Sequence, residues 1–312
     1  MALYVNTNVS SINGRRNLTN ATNNLNTTYQ RLSSGMRINS AKDDAAGLQI
    51  SDRLSSQING LNQGNRNTND GISLAQTAEG AMDEMVTMLQ RIRTLAVQST
   101  NGTNSQADRD AMQQEVSQLS DEITRIACQT KFGGQQILAG GGGKAGGNGL
   151  VNSAGDIKLQ VGAYNGDSLT VDLFSLGFTL SAIGSLAKVQ LGDNNGYVAT
   201  QRSIGGTNVN VRRFSVSAQS SASGAITSVD SMIAALDSQR AHLGAMQNRM
   251  ESTIRNQSNI SMNVSDARSR IRDTDFAEES AKLSQQSIIQ QAASSMLTQA
   301  NSRPQIALSL LG

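Results

Sequence analysis

Apolar residues near both ends of this chain recur at alternating spacings of three and four residues. This spacing is typical of helices that pack along a shared seam in a coiled coil. Near the N-terminus the series is Leu18, Thr22, Leu25, Tyr29, Leu32 and Met36. Near the C-terminus it is Met232, Leu236, Gln239, Leu243, Met246, Met250, Thr253, Gln257, Ile260, Val264, Ala267 and Ile271. Both ends are therefore predicted to form long helices that need partner helices.

The composition favours long, thin helices over a compact globule. Pro304 is the only proline among 312 residues, so almost nothing interrupts a helix from within. Aromatic residues make up 3% of the chain and tryptophan is absent, which leaves few bulky anchors for a compact core. We predict a mainly α fold in which long coiled-coil helices from both chain ends form an elongated bundle.

Further helices are predicted between the two ends. The first helix extends from about Leu3 to Met36, and a break follows at about residues 35–43. Ser40 and Asp43 have the spacing of a capping box, which predicts that a second helix starts there. A third helix, with the same spacing from Met112 to Ile126, is expected to run antiparallel to the second. The stripe of the second helix is Leu54, Ile58, Leu61, Asn65, Thr68, Ile72, Ala75, Ala78, Met82, Met85, Leu89, Ile92 and Ala96.

The middle of the chain has a different pattern. Two alternating runs, Ile157–Val161 and Leu169–Leu173, flank Asn165-Gly166-Asp167, which predicts a β-hairpin. Another alternating run covers Val209–Val216, and helical spacing returns after about Ser223. The centre is therefore predicted to be a β-hairpin or β-rich region. The last helix is predicted to start at Asp275, three residues before Glu278.

Charge and hydropathy narrow the function classes. The chain has 26 Lys and Arg against 24 Asp and Glu, a net charge of +2, which does not indicate nucleic acid as a partner. No apolar run is long enough to span a bilayer, so no membrane partner is expected. The first residues resemble no cleaved signal peptide. A net charge near zero permits copies of the chain to pack together.

Little in the sequence predicts bond chemistry. His242 is the only histidine and Cys128 the only cysteine, so no His-based metal cluster or internal disulfide can form. Gly141–Gly146 fits G-x-G-x-x-G but lies in a glycine tract with no strand before it. The glycosylation sequon Asn101-Gly102-Thr103 is attributed to chance in a chain rich in these residues. We predict no catalytic, cofactor-binding or metal-binding residue, and no cofactor.

The segment from Leu32 to Leu48, with the sequence LSSGMRINSAKDDAAGL, resembles the hallmark stretch of bacterial flagellins. Similar stretches occur in both helical ends. They are residues 75–81, 90–97, 129–138, 243–249, 265–273 and 290–311. The resemblance implies a structural subunit that polymerises into the helical flagellar filament of a swimming bacterium and is not an enzyme.

The resemblance also implies a domain order. Residues 1–42 and 273–312 would form an inner terminal coiled-coil domain. Residues 43–177 and 226–272 would form a helical rod domain with a β-hairpin region. Residues 178–225 would form a short variable outward insertion. Members of this family have terminal segments that are disordered until assembly, and they are exported unfolded through the flagellar type III secretion channel into the extracellular filament.

Partners follow from the resemblance in the same way. The chain would form a homo-polymer and meet the filament cap and junction proteins. A flagellar export chaperone would bind the C-terminal helical segment from Leu283 to Leu311. Host innate immune receptors would recognise the rod through Arg91, Leu95 and Glu115, and a cytosolic sensor would read Leu308, Leu310 and Leu311.

Assembly is predicted to depend on a seam between the two terminal helices. The first helix would contribute Leu25, Tyr29, Leu32 and Met36. The last helix would contribute Ile289, Ala293, Met296 and Ala300. Two alternatives remain open at this point. One is a hook-filament junction protein, which shares the helical ends, and the other is a secreted enzyme carried on a flagellin scaffold.

Overall fold

The computed structural model describes residues 7–139, 156–172, 177–189, 197–204 and 207–309, and side chains within these ranges except at 197–211 and 303–309. The long helices are α1 (Val9–Ser34), α2 (Ala45–Thr100), α3 (Gln106–Gln129), α5 (Gln219–Arg272) and α6 (Phe276–Ser309). A short α4 covers Leu180–Leu186. The strands are β1 (Lys131–Phe132), β2 (Gln135–Gln136), β3 (Asp156–Gln160), β4 (Ser168–Asp172), β5 (Tyr197–Ile204) and β6 (Thr207–Phe214). The prediction of a mainly α fold with a small central strand region is confirmed.

The chain divides into two compact units. Unit 1 comprises residues 1–59 and 260–312, and unit 2 comprises residues 60–259. Both chain ends therefore belong to unit 1, and α2 and α5 contribute residues to both units. The predicted domain limits at 42/43 and 272/273 differ from these contact-based limits and stay predictions.

In unit 1, α1 and α6 run antiparallel. The Asn8 side-chain amide donates to the Ala300 carbonyl at 2.7 Å near one end of the pair. Near the other end, the Thr274 N–H donates to the Gly35 carbonyl at 3.0 Å. Asn8 also caps the start of α1, and Gly35 ends the helix with a φ of 69°, a conformation that favours glycine.

Unit 2 is built around the apolar stripes of α2, α3 and α5. Much of the predicted α2 stripe is buried, and the α5 stripe is buried at several positions between Met232 and Gln257. The fully buried side chains of this core include Met82, Met85, Leu89, Ile92, Ile123, Met232, Leu236 and Met250. Ile260, the next apolar position of the α5 stripe, lies in unit 1 and is 37% exposed. The apolar spacing of α5 therefore continues past the buried core of unit 2.

The β3–β4 hairpin lies on glycines of α2. Its predicted antiparallel pairing is confirmed, with Ile157 opposite Val171 and Leu159 opposite Leu169. A Cβ added at Gly64 would lie 1.9 Å from the Val161 carbonyl oxygen, so only glycine allows this approach. Glycine weakens a helix interior, and at Gly60, Gly64 and Gly71 this weakness is offset by close packing against residues 159–163.

The predicted insertion, residues 178–225, begins and ends in the core of unit 2. Phe178, Leu180 and Ile183 are buried near its start, and Phe214 and Ala225 near its end. Strands β5 and β6 pair antiparallel within this segment, as β1 with β2 and β3 with β4 do before it. Both ends of the segment pack with α2, α3 and α5, because their apolar side chains belong to the same core. The insertion's limits remain a prediction.

The predicted helix start at Asp275 agrees with the structure, and the predicted start at Ser40 does not. Ser105 and Asp108 form a complete capping box at α3, and Asp275 accepts from the Ala277 and Glu278 N–H groups at α6. The predicted start at Ser40 is wrong, because α2 begins at Ala45. There Asp44 accepts from the Gly47 N–H at 2.9 Å, whereas Asp43 closes the preceding turn on Ser40.

Candidate assembly surface

The seam between α1 and α6 has heptad spacing on both helices. The α1 residues at this spacing, all buried or half-buried, are Ser11, Gly14, Leu18, Ala21, Leu25, Thr28 and Leu32, and Thr22 and Arg31 beside them are also half-buried. The matching α6 residues are Glu279, Leu283, Gln286, Gln290, Ala293, Leu297 and Ala300. Small residues allow close approach, since a Cβ added at Gly14 would lie 3.2 Å from the Leu297 Cδ1. The pair is therefore a thin coiled coil with many polar seam positions.

The structure brings some of the predicted seam residues together and leaves others outside. Leu25 and Leu32 on α1, and Ala293 and Ala300 on α6, lie in the seam. Tyr29, Ile289 and Met296 are 53%, 41% and 68% exposed. Met36 lies beyond α1 and bridges to Asp273.

Sequence reasoning missed the small and polar seam residues. The series through Leu18, Leu25 and Leu32 can be completed either by Thr22 and Tyr29 or by Ala21 and Thr28. Ala21 and Thr28 are buried, at 3% and 6% exposed, whereas Tyr29 is 53% exposed. Thr22 is half-buried and its hydroxyl accepts a hydrogen bond from the Gln290 side chain of α6. Small side chains at alternate heptad positions are the signal that distinguishes the second series, because they allow closer packing of two helices than tyrosine does.

A groove of about 930 Å³ runs along one side of the seam. One wall is a row of amides from α1, and the other wall contains the apolar Ile289 and Met296 of α6. Small residues, including Gly14, Ala21 and Ala293, also line the groove. The amides on the first wall are Asn13, Asn17, Asn20 and Asn24. The lining contains no charged side chain, so the groove can receive a neutral or apolar surface.

Large apolar side chains are exposed on both helices of the pair. Together with Met296 and Ile289 they make a set of exposed apolar positions, distributed around the two helices, that we call the unit 1 apolar face. The other members are Val9, Ile12, Tyr29 and Ile288. Large apolar side chains exposed this densely are typical of surfaces that bind another protein.

The three residues predicted as a receptor epitope have different surroundings. Arg91 and Glu115 are exposed and form an ion pair with a 2.8 Å separation between Arg91 Nε and Glu115 Oε1. This hydrogen bond is the main reason that the pKa of Arg91 is raised. Leu95 is 3% exposed and belongs to the core of unit 2. The ion pair thus lies at the surface, and the leucine supports the helix beneath it.

The C-terminal residues are only partly described. Leu283 is a half-buried seam residue, and Leu308 lies within α6 without a described side chain. Leu310 and Leu311, like the Gly141–Gly146 tract, lie outside the described residues.

Cys128 is half-buried on α3, where burial raises the pKa of its thiol and so disfavours the reactive thiolate.

No other chemistry-bearing cluster is found in the part of the chain that the structure describes. Within it, no group of three or more His, Cys, Asp or Glu side chains could hold a metal ion. No described helix combines the length and hydropathy needed to cross a membrane.

Comparison with known proteins decides what kind of molecule carries this seam. Residues 5–142 match the bacterial flagellin N-terminal helical region, and residues 226–311 match the bacterial flagellin C-terminal helical region. The chain belongs to the bacterial flagellins. A flagellin is a structural subunit of the flagellar filament, and the seam joins the two regions that characterise the family.

Full-length relatives agree with this assignment. The flagellin is 39% identical to flagellin B of Vibrio anguillarum over 377 positions, and 39% identical to flagellin A of Vibrio cholerae over 378 positions. Each alignment covers 100% of both chains. Because the alignments are longer than the 312 residues of this flagellin, these relatives contain residues that it lacks. The alternative of a hook-filament junction protein is not favoured.

Two solved structures are similar to parts of this chain. The flagellin of Bacillus cereus has 29% identity and a TM-score of 0.45, with 62% of this chain and 88% of that chain covered. A protein described as flagellar hook-associated, from Vibrio parahaemolyticus, has a TM-score of 0.54 at 13% identity. That match covers 74% of this chain and 100% of the other, and it shows a shared fold only.

Proposed function

We propose that this flagellin polymerises by packing its unit 1 apolar face and the adjacent groove against neighbouring copies of itself. The observation that carries the proposal is the exposure of Met296 and Ile288, which are 68% and 66% exposed on a helix whose other side packs on α1. Burying each such side chain contributes about 1.5–3 kcal/mol. A contact repeated along a polymer sums this gain over many copies.

Seeded growth tests the assembly surface. Purified subunits of Met296→Ser and Ile288→Ser variants are added to short filament seeds, and growth is followed by electron microscopy. Slower growth and a higher critical concentration are expected, because the lost apolar area no longer contributes to the contact. Gln291→Ser, an exposed polar site on the same helix, is the matched control and should grow like the parent. Parental growth of both apolar variants would place the contact elsewhere.

The predicted assembly residues contribute in two ways under this proposal. Leu25, Leu32, Ala293 and Ala300 hold α1 and α6 together, so they act before copies meet. Tyr29, Ile289 and Met296 act in the contact itself because their side chains are free to pack on a neighbour. Met36, bridged to Asp273, fixes the connection that follows α1.

The export chaperone is proposed to cover the C-terminal part of α6 before assembly. Leu283 and Ala293 share a face of this helix, and α1 covers the same face in the folded unit. A chaperone on this face therefore excludes α1 and keeps the ends apart. Titration calorimetry of the chaperone with the peptide 276–312 tests this. Leu283→Asp should weaken binding, whereas Gln285→Asp on the exposed side should not.

Recognition by host receptors is proposed to use the Arg91–Glu115 ion pair, with Leu95 acting indirectly by packing α2. A charge exchange separates the two effects. The double variant Arg91→Glu, Glu115→Arg keeps opposite charges side by side, so it should retain the parental unfolding temperature and lose receptor binding. Retained binding would exclude the ion pair as a receptor contact.

A cytosolic sensor is proposed to read the end of the chain through Leu308, Leu310 and Leu311. Truncation after residue 307 tests this proposal.

Export and location complete the proposal. Type III export is general to flagellins, and the proposal extends this route to the present chain. The subunit would leave the cell unfolded and act in the extracellular filament, where cap and junction proteins would contact the same terminal helices.

The proposed role requires no bond chemistry and no cofactor. A peptidase and hydrolase screen of purified filaments, expected to be negative, tests the enzyme alternative.

A further inference from the structure

The connection between α2 and α3 contains an Asn-Gly sequence, Asn101-Gly102, whose surroundings differ from those of the other Asn-Gly sequences among the described residues. In such a sequence the backbone nitrogen of glycine can attack the side-chain carbonyl carbon of asparagine. Asn13-Gly14 and Asn59-Gly60 lie within α1 and α2, where helical dihedrals hold the glycine nitrogen away from that carbon. Asn101-Gly102 lies outside the helices and is exposed.

Two donors act on the reacting groups of Asn101. The Thr103 N–H donates to the side-chain oxygen Oδ1 at 3.4 Å, which orients the carboxamide and polarises its carbonyl. The Arg109 guanidinium donates through Nη2 to the backbone carbonyl of Asn101 at 3.1 Å. This carbonyl belongs to the peptide unit whose nitrogen is that of Gly102. A cation on the oxygen stabilises the negative charge that develops when the nitrogen loses its proton.

The position of Arg109 is fixed by a second contact. Its Nε donates to the carbonyl of Ser99 at 3.0 Å, so the guanidinium bridges two carbonyls at the end of α2. Within the described residues, the Gly102 N–H makes no hydrogen bond that would have to break before attack. A Cβ added at Gly102 would meet nothing within 4 Å, so close packing does not require glycine there.

We propose that Asn101 is a self-modification site, at which the fold accelerates loss of the side-chain amide. The Gly102 nitrogen loses its proton to water or hydroxide and forms a bond to Asn101 Cγ. The bond from Cγ to Nδ2 then breaks, and the nitrogen takes up a proton and leaves as ammonia. Solvent water opens the resulting succinimide at either carbonyl and gives aspartate or isoaspartate. The step consumes one water and involves no oxidation or reduction.

The product alters the α2–α3 connection. Either product places a carboxylate beside Arg109 and lowers the net charge of the subunit by one. Isoaspartate also adds a methylene to the main chain, where the Asn104 N–H donates to the Asn101 carbonyl at 3.3 Å. The modification accumulates with time because solvent supplies its only co-reactant, and its extent therefore records the age of a subunit.

The hairpin turn supplies an internal control. Asn165-Gly166 is also exposed and outside the helices, with a Gly166 φ of 101°. Neither the side chain nor the carbonyl of Asn165 receives a hydrogen bond from another described group. It has the same reacting residues without the two donors.

The test compares the folded flagellin with the chain in denaturant, at the same pH and temperature. Peptide mass spectrometry follows ammonia loss at each Asn-Gly sequence over days, and electron-transfer fragmentation separates aspartate from isoaspartate. The ratio of the folded rate to the denatured rate should exceed one at Asn101. It should be well below one at Asn13 and Asn59, and at or below one at Asn165. A ratio of one or less at Asn101 overturns the proposal.

Three variants assign the effect to its causes. Gly102→Ala fits the structure and should slow the reaction at Asn101 at least several-fold, because a side chain hinders the attacking nitrogen. Arg109→Gln should bring the folded rate towards the denatured rate, and Arg109→Lys should keep part of the acceleration because it keeps the charge. None should change the rate at Asn165. Equal rates in the parent and Arg109→Gln would overturn the role of the cation.

Discussion

The guanidinium of Arg37 donates a hydrogen bond through Nη2 to the carbonyl oxygen of Ile271 at 2.7 Å. The backbone N–H of Arg37 donates to the Arg272 carbonyl at the same distance of 2.7 Å. Arg37, which follows α1 in the chain, therefore holds the last turn of α5 by both its main chain and its side chain. Orphan carbonyls at a helix C-terminus carry partial negative charge, which explains why a cation is favourable there.

Replacing Arg37 should loosen this connection. Arg37→Ala removes a charge-assisted hydrogen bond at an exposed site, and the expected loss of stability is about 1 kcal/mol. Hydrogen exchange of the Ile38 and Thr274 amides should become faster, while exchange in the core of unit 2 stays unchanged. Arg16→Ala, at an exposed position on α1, is the control. Equal exchange in the parent and the Arg37 variant would show that the main-chain bonds suffice.

Two glycines of α2 should respond to alanine substitution with stability changes of opposite sign. Gly64→Ala places a Cβ against the Val161 carbonyl and should cost about 1–3 kcal/mol, because the β3–β4 hairpin must shift. Gly80→Ala meets nothing within 4 Å and should stabilise the same helix by about 0.5–1 kcal/mol. Thermal unfolding followed by circular dichroism measures both. Equal shifts for the two variants would contradict the packing that we describe.

The capping box of α3 should make part of the stability depend on pH. Hydrogen bonds from the Ser105 side chain and backbone lower the pKa of Asp108 below the ordinary value of 3.8. A lowered pKa in the folded state means that the stabilisation is present above pH 3.8 and is lost as the pH falls through the folded value. Asp108→Asn should therefore have a lower unfolding temperature at neutral pH, and the difference should shrink in acid. A difference that is constant with pH would exclude the ionised cap.

The seam can be tested with two neighbouring sites. Leu32→Asp places a charge on the side of α1 that packs against α6 and should abolish filament assembly while unit 2 stays folded. Ser33→Asp adds the same charge at the next, exposed position and should leave assembly intact. Electron microscopy of seeded mixtures reports assembly, and near-ultraviolet circular dichroism reports folding. Normal filaments from Leu32→Asp would falsify our placement of the seam.

The long helices and the hairpin could be predicted because their signals are local. The spacing through Leu89 and Ile92, and the Asn165-Gly166 turn, each specify one element without reference to distant residues. The start of α2 was harder, since Ser40 and Asp43 have cap spacing but close a turn ahead of the helix that Asp44 caps. Spacing alone cannot rank the two adjacent aspartates, because either residue type can cap a helix start.

The sequence by itself determined the helical class and the antiparallel hairpin, because heptad spacing and turn residues act over a few positions. Membership of the flagellins rests instead on the similarity of the two helical regions to that family. Only the tertiary structure decided which side of each terminal helix packs inward. Thr28 is buried in the seam where Tyr29 was expected, because a small side chain lets α1 and α6 approach closely, and Ala21 is buried beside the half-buried Thr22. That choice leaves Tyr29, Ile289 and Met296 exposed, where they can contact a neighbouring subunit.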